Sequence, residues 1–444
     1  MKQKYRQLFF YTFLLGFLIS APLVLLYTAG YRYHPTLGKI VKTGVVSVTS
    51  IPKNATISID NERQNLKTPA TIDNVYATDH LIRVEKEDYL PWEKTVSVAS
   101  NQTTFVEDIV LFLDARSKLL TIIDITELFI SPSHLRTVYT IKEGSYREIW
   151  SLEKDENEPI LLARIPASFD DTASLAWSSK ERYLLLHTES EDTNSYAVLS
   201  TTKDDTITLE SEDILTAWWD IQNESILYYQ TEEKLVSFDI TNESKTVLDF
   251  SAQAVTSADQ GYFIISKNSE KTTLAHYTQS DLTTLTYLPL GEYVFLTAPS
   301  DVLFLHEQSH NRILLIDPNN ASNPILLNTP ATSWQWWGHY DLLYSDGYSL
   351  SRYNTGTKTT DTFLRLSEKI TDSAWHPFGT YVFYVQSGAI SVIELDDRDN
   401  VNTYKLSDEQ NIAGIWMDEE ATSLHYFGQI DEGHYGHHER LLDN

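Results

Sequence analysis

The chain has no cysteine among its 444 residues. This absence excludes disulfide bonds, thiol nucleophiles, thiolate zinc sites and an anchor attached through a lipid-modified cysteine. Without disulfides the fold must depend on its hydrophobic core, and 444 residues can supply the cores of two soluble units.

Asp and Glu are absent from the first 50 residues, and residues 8–30 also lack Lys, Arg and His. As a helix this run spans about 34 Å, enough to cross a hydrocarbon core of about 30 Å. A cleaved signal peptide is the alternative, but its apolar region is about 7–15 residues long and ends at a small-residue site. We therefore predict a cytoplasmic tail at residues 1–7 and an uncleaved transmembrane helix at residues 8–30.

Basic residues flank the apolar run on both sides, so the positive-inside rule only slightly favours a cytoplasmic N-terminus. A tail of seven residues is a poor candidate for the exported part, and we expect the large domain outside the cytoplasm. After residue 50 the chain has 28 basic and 62 acidic residues. Such a surface repels nucleic acid, so we expect no nucleic-acid partner.

Short strands with apolar residues at every second position begin after a predicted linker at residues 31–43. They lie at residues 45–48, 55–59, 80–84, 95–98 and 105–113, and Pro52, Pro69 and Pro91 punctuate the connections. Alternation of this kind places one face of each strand in a core. The pattern predicts a β-sandwich at residues 44–113.

The motifs of this segment resemble those of the PEGA domain, a small bacterial and archaeal surface module. They are TSIPKNATISID at residues 49–60, TPA at 68–70 and RVEKEDY at 83–89. Asn54 and Asp88 stand where the family usually has glycine. Because Asn and Asp tolerate left-handed backbone conformations, the resemblance still implies the same fold.

A second pattern repeats through residues 116–444. An aromatic or apolar strand, a polar turn and another strand recur at residues 176–186, 217–229 and 374–384, with degenerate copies starting about 38–47 residues apart. This is the length of a four-stranded propeller blade. The fold class is therefore all-β apart from one helix, with a propeller of eight blades favoured and seven left open.

The repeats resemble the WD-like propellers of the Tol system and of prolyl oligopeptidases, a likeness of architecture that says little about activity. Eight tryptophans occupy or adjoin the same place in their repeats: Trp177, Trp218, Trp219, Trp334, Trp336, Trp337, Trp375 and Trp416. Exposed tryptophans could bind sugar, but repetition at one position indicates packing between blades.

Two clusters have side chains that bind metals, and both are interpreted as non-metal segments. His434, His437 and His438, with His425 nearby, have irregular spacing, and we interpret their segment as a solvated loop. Asp397 and Asp399 lie in an acidic loop that lacks the glycine and closing glutamate of an EF-hand, which indicates a polar hairpin turn. No cofactor is expected.

No nucleophile elbow, zinc-protease motif or phosphate-binding loop occurs, and no carboxylate pair stands out. We expect a membrane-anchored binding or scaffolding protein whose propeller loops meet a protein or cell-envelope polymer, and not an enzyme. Two alternatives remain open: a propeller enzyme that hydrolyses or cleaves glycans or peptides, and a subunit of an envelope complex.

The last repeat supplies three strands, near residues 412–416, 423–427 and 438–442, and then the chain stops. A spare apolar run lies at residues 119–123, between the sandwich and the first repeat. We predict that it pairs with the C-terminal strand and closes the ring, because an unclosed propeller leaves open strand edges.

Overall fold

The computed structural model describes residues 3–35, 38–152, 159–166, 173–189, 194–201, 206–209, 214–278, 281–299, 301–407, 410–418, 420–431 and 434–443. The described chain forms one helix and 40 strands. Two compact units result, and each contains more than one segment of the chain. The first comprises Met1–Arg116, Ile393–Thr403 and Leu441–Asn444, and the second comprises Ser117–Val392 and Tyr404–Arg440.

Helix α1 (Gln3–Thr28) opens the first unit. Its apolar side chains are exposed over nearly the whole length. Within the described residues, its stretch Tyr5–Thr28 is long and apolar enough to cross a membrane. The helix ends at Thr28, and Gly30 follows with a φ of +77°, the left-handed conformation that glycine adopts most easily after a helix C-terminus.

Eight strands follow and form two four-stranded sheets. They are β1 (Tyr31–His34), β2 (Lys39–Ile51), β3 (Thr56–Ile59), β4 (Glu62–Lys67), β5 (Ala70–Tyr76), β6 (Asp79–Glu85), β7 (Trp92–Ser97) and β8 (Thr103–Val110). One sheet has the order β1-β2-β5 with β8 parallel to β2, and the other has the order β4-β3-β6-β7. Alternate apolar residues of both sheets, including Val46, Ile57 and Val84, form one core. The predicted sandwich is confirmed.

Residues 31–43, which the sequence predicts as a linker, contain β1 and the beginning of β2. The two unusual turn residues behave as the sequence implies. Asn54 and Asp88 have φ values of 65° and 68°, so both occupy the left-handed conformation for which glycine would otherwise be used.

The second unit begins with strand β9 (Lys118–Ile123) and continues through eight four-stranded sheets within the described residues. The first four sheets consist of β10 (Ile125–Ile130), β11 (Thr137–Glu143), β12 (Tyr146–Leu152) and β13 (Ile160–Pro166); β14 (Ser174–Trp177), β15 (Tyr183–Glu189), β16 (Asn194–Ser200) and β17 (Thr206–Thr208); β18 (Thr216–Trp219), β19 (Ile226–Gln230), β20 (Leu235–Asp239) and β21 (Ser244–Leu248); β22 (Ala254–Ser257), β23 (Tyr262–Lys267), β24 (Thr272–Thr278) and β25 (Asp281–Leu288).

The other four sheets consist of β26 (Tyr293–Leu296), β27 (Leu303–Glu307), β28 (Arg312–Ile316) and β29 (Ile325–Pro330); β30 (Ser333–Trp337), β31 (Asp341–Ser345), β32 (Ser349–Asn354) and β33 (Thr359–Arg365); β34 (Ile370–Trp375), β35 (Tyr381–Gln386), β36 (Ala389–Glu394) and β37 (Thr403–Lys405); β38 (Gln410–Met417), β39 (Ser423–Asp431), β40 (His434–Leu441) and β9. Each sheet is one propeller blade, so eight blades form the ring.

The eighth blade confirms the predicted closure. Strand β40 pairs antiparallel with β9, and His437 lies opposite Thr121 in the ladder. Strand β9 therefore supplies the fourth strand that the C-terminal repeat lacks. The innermost strand of the eighth blade, β38, also contacts β10 of the first blade, so the ring is closed on both its inner and outer strands.

Tryptophan side chains join neighbouring blades, as the sequence predicts. The indole Nε1 of Trp219 donates to the carbonyl of Ala176 in the preceding blade at 3.0 Å. Trp337 donates to the carbonyl of Pro377 in the next blade at 2.9 Å. All eight repeat-position tryptophans are buried or half-buried. Their recurrence reflects packing between blades.

The connection between β10 and β11, residues 131–136, bonds to three other blades. The backbone N–H of Ser133 donates to Glu181 in the second blade, and its carbonyl accepts from Gln335 Nε2 in the sixth blade at 2.9 Å. The carbonyl of His134 accepts from the N–H of Met417 in the eighth blade. One loop thus bridges the inner strands at one end of the ring.

Candidate functional site

The histidine segment lies on a strand and is largely buried, so its interpretation as a solvated loop is wrong. His437 and His438 lie on β40 with little exposure. His437 stacks on Trp416 at 5.4 Å between ring centroids, and His438 stacks on Tyr426 at 5.0 Å. These imidazoles are buried because β40 is a central strand of the eighth blade, paired with β9, and its histidines stack on aromatic rings of β38 and β39.

Burial also affects the pKa values of histidines in this segment. His425 Nδ1 lies 3.3 Å from His437 Nε2. Burial, with the neighbouring His425 and His438, lowers the pKa of His437 to about 3. His434 is exposed, and its hydrogen bond with Asp431 raises its pKa. Across the described ranges, no three His, Asp or Glu side chains are grouped to hold a metal ion.

The acidic loop belongs to the first unit, where Asp397 and Asp399 have different surroundings. Asp397 is exposed. Asp399 Oδ2 accepts the backbone N–H of Thr95 at 2.8 Å, and hydrogen bonds from the side chain and backbone of Thr95 lower the pKa of Asp399. Arg398 Nη1 donates to the carbonyl of Phe105 at 2.6 Å. The loop therefore binds the backbones of β7 and β8 at the edge of the sandwich.

Lys94 on β7 is fully buried, and the same downstream segment supplies its counter-ions. Its Nζ lies 2.9 Å from Glu394 Oε2 and 3.5 Å from Asp396 Oδ2. Glu394 also accepts from Trp92 Nε1 and from Asn402 Nδ2, both at 2.8 Å. Burial alone would raise the pKa of Asp396, but hydrogen bonds from Arg398 and the nearby Lys94 hold it below its ordinary value.

The C-terminal segment completes the first unit. The carbonyl of Leu442 accepts the N–H of Leu113, and Asp443 Oδ1 accepts the hydroxyl of Tyr89 at 2.6 Å. The Leu442 side chain is buried. The sandwich is thus completed by two segments about 300 residues downstream, neither of which the sequence analysis placed there.

An open polar groove of about 840 Å³ lies on the outer side of the β4-β3-β6-β7 sheet. Arg63, Lys67, Arg83 and Lys86 line it, together with three carboxylates. Arg83 bonds to Glu85 at 3.0 Å, and exposed pairs of this kind are weak. The lining is mostly polar and charged, with Tyr89 and Pro91 as its less polar members.

The propeller presents apolar side chains at the end opposite its bridging loop. In an antiparallel four-stranded meander, the connection between the second and third strands and the connection to the next blade share one end. Tyr348 occupies such a turn, and Leu215 and Leu290 occupy connections to the next blade; all three are exposed. They are among the exposed apolar residues at this end of the described propeller.

The family comparison addresses the sandwich. The PEGA domain family model matches residues 43–108. Residues 43–108 are a PEGA domain. The buried Lys94 and the polar groove therefore belong to the PEGA domain, and the PEGA resemblance of the sequence motifs is confirmed.

Several solved structures are similar to the chain at low sequence identity. The C-terminal WD40 domain of Sif2 is 11% identical, covers 73% of this chain and 98% of its own, and has a TM-score of 0.48. An uncharacterized Listeria monocytogenes EGD-e protein is 13% identical over 66% and 95%, with a TM-score of 0.39. An oligogalacturonate lyase in complex with manganese is 11% identical over 74% and 98%, with a TM-score of 0.38.

Identities and TM-scores this low say nothing about activity. The propeller fold is assigned from the chain's own four-stranded sheets. No curated protein matches the chain.

Proposed function

We propose that this protein is a membrane-anchored, extracytoplasmic binding or scaffolding protein that presents its propeller to a protein or cell-envelope polymer. One chain combines an exposed apolar helix, a PEGA domain and a closed ring of blades. This combination is the observation that supports the proposal. A helix whose apolar side chains are exposed needs a nonpolar surrounding. The helix would fix the location, and the ring would offer loops for recognition.

The charge distribution supports this division of roles. Residues 117–444 contain 21 basic and 51 acidic residues, whereas the first 50 contain six basic residues and no acidic ones. A strongly acidic propeller stays soluble and avoids anionic surfaces. The apolar residues Tyr348, Leu215 and Leu290 would then supply the contact area for a partner, since charged residues are depleted from interface cores.

We expect the PEGA domain outside the cytoplasm and the N-terminus inside. Because the chain has no cysteine, Leu66→Cys, in an exposed position of β4, gives a single reporter thiol. A membrane-impermeant maleimide should label this variant in spheroplasts, whereas Arg6→Cys should react only after permeabilisation. The reverse pattern would contradict the topology, and a mature N-terminus near Tyr31 would contradict the anchor.

We expect the partner to bind at the propeller end that carries Tyr348 and Leu290. Combining Tyr348→Ser with Leu290→Ser should abolish most of the co-purification from detergent-solubilised membranes, because apolar interface anchors commonly contribute about 2 kcal/mol or more. Tyr340→Ser is the matched control, since Tyr340 is 53% exposed and Tyr348 54%, but Tyr340 lies at the other end. Loss of partners from the control alone would place the binding surface at that end instead.

A further inference from the structure

A short hairpin follows the helix directly. Strand β1 begins three residues after the end of α1 and pairs with the first residues of β2. Tyr31 lies opposite Lys42, and Tyr33 lies opposite Ile40. Because opposite residues of an antiparallel pair share a face, these four side chains lie on one face of the hairpin.

This face has an unusual composition for a protein surface in water. Tyr33 is 65% exposed and Ile40 is 58% exposed, so the cross-strand pair covers little of its own apolar surface. Lys42 Nζ lies 5.6 Å from the centre of the Tyr31 ring. Aromatic rings beside cations are typical of side chains at the boundary between hydrocarbon and water.

The position of the hairpin next to the helix is fixed by hydrogen bonds. The carbonyl of Gly30 accepts from both the backbone N–H and the hydroxyl of Thr43 on β2, at 2.8 and 3.0 Å. Arg32 Nη1 donates to the carbonyl of Tyr27 at 2.7 Å, and its guanidinium lies 3.7 Å from the centre of the Tyr27 ring. A side chain at position 30 would clash with Asn101. The junction therefore has no free linker.

The hairpin also continues into the PEGA domain. Beyond the residues that pair with β1, the same strand β2 pairs with β5 and β8. A surface that holds the hairpin would therefore hold the first sheet of the domain as well.

We propose that the β1–β2 hairpin is a second membrane contact, in which Tyr33 and Ile40 enter the headgroup layer of the bilayer that α1 crosses, and Lys39 and Lys42 bind anionic lipid headgroups. This inference rests on the proposed membrane anchorage. The layer is about 5–7 Å deep on each side of the hydrocarbon core, and the hairpin starts where the helix leaves that core.

The distribution of charged residues favours the hairpin over the propeller as the part of the ectodomain that contacts lipid. Lipid surfaces with anionic headgroups attract each nearby Lys or Arg and repel carboxylates. Residues 31–43 contain Arg32, Lys39 and Lys42 and no acidic residue, whereas acidic residues outnumber basic ones in the rest of the ectodomain. The positive-inside rule does not call for cations on this side of the helix, so lipid binding gives them a physical role.

The test uses single-cysteine variants of the full chain, labelled with an environment-sensitive fluorophore and reconstituted in nanodiscs containing nitroxide lipid. The variants are Tyr33→Cys on the hairpin, Leu66→Cys as an exposed control elsewhere in the unit, and Gly16→Cys in the helix. Open space surrounds position 16. We expect nitroxide to quench the labels at positions 16 and 33, and not the label at position 66.

Each of the other quenching patterns would contradict a different claim. Quenching at position 16 without quenching at position 33 would overturn the hairpin contact and leave the anchor intact. No quenching at position 16 would contradict the anchor itself. A label at position 33 that is shielded already in detergent and unquenched in nanodiscs would assign this face to a second copy of the chain and overturn the proposal.

The lipid chemistry is tested with Lys39→Gln and Lys42→Gln in the labelled Tyr33→Cys chain. In nanodiscs with anionic phosphatidylglycerol, each change should shift the docking equilibrium about fivefold towards the undocked state. In purely zwitterionic phosphatidylcholine, the two variants should match the parent. Equal losses in both lipids would overturn the headgroup assignment.

Discussion

Replacing Glu394 with alanine is expected to destabilise the first unit by about 3–5 kcal/mol. Glu394 is the nearest counter-ion of the fully buried Lys94 ammonium, at 2.9 Å. It also accepts hydrogen bonds from Trp92 and Asn402. Alanine would leave two donors without this acceptor and one cation with only the more distant Asp396 carboxylate.

The free energy of opening can be measured by hydrogen exchange of the β7 and β8 amides in the detergent-solubilised full chain. Asp397→Ala is the matched control, because it removes an exposed carboxylate from the same loop and should change stability by less than about 0.5 kcal/mol. Equal effects of the two substitutions would show that the loop's net charge, and not the buried pair, stabilises the unit.

A double replacement separates the cost of a buried charge from the cost of lost packing. Lys94→Met combined with Glu394→Met removes both charges while retaining side-chain volume. Since apolar pairs often match or exceed buried ion pairs in stability, this variant should be more stable than Glu394→Ala. Trp92 still loses its acceptor, so full recovery is not expected.

The sequence predicted the features that depend on local periodicity. Alternating apolar residues identified the sandwich, and the recurrence of a strand, turn and strand identified the blades. The incomplete last repeat and the spare run at residues 119–123 predicted the closure, because hydrogen bonds of an edge strand require a partner. Each of these inferences needed only the spacing of residues along the chain.

Contacts between distant segments could not be predicted in this way. Lys94 shares the inward-facing side of β7 with Trp92 and Val96, but its counter-ions follow about 300 residues later. No local pattern links the two. A buried lysine needs compensation, but only the folded structure shows which carboxylates supply it.

The sequence of the histidine segment contained evidence for a strand, but the polarity of its residues led to the opposite interpretation. The last repeat already predicted a strand near residues 438–442, and this strand overlaps the segment that was interpreted as a loop. Polarity favoured a solvated loop. Because imidazole can stack on aromatic rings, His437 and His438 fill positions in the blade where apolar residues would otherwise pack.

Replacing Trp375 with alanine is expected to destabilise the propeller by about 3–5 kcal/mol. The side chain is only 3% exposed and its ring centre lies 6.0 Å from that of Trp337 in the preceding blade. Its backbone N–H also donates to Gln335 Oε1 of that blade at 2.6 Å. Removing the indole would leave a cavity between two blades that the surrounding strands, held by their own ladders, cannot close.

Denaturant unfolding of the full chain, followed by far-ultraviolet circular dichroism, measures the loss. Trp375→Phe should recover part of the stability because an aromatic ring still fills the site, and Tyr340→Ala should have little effect because Tyr340 is exposed. A loss below about 1 kcal/mol for Trp375→Ala would contradict the packing interpretation. The alternative interpretation, in which repeated tryptophans bind sugar, would then gain support.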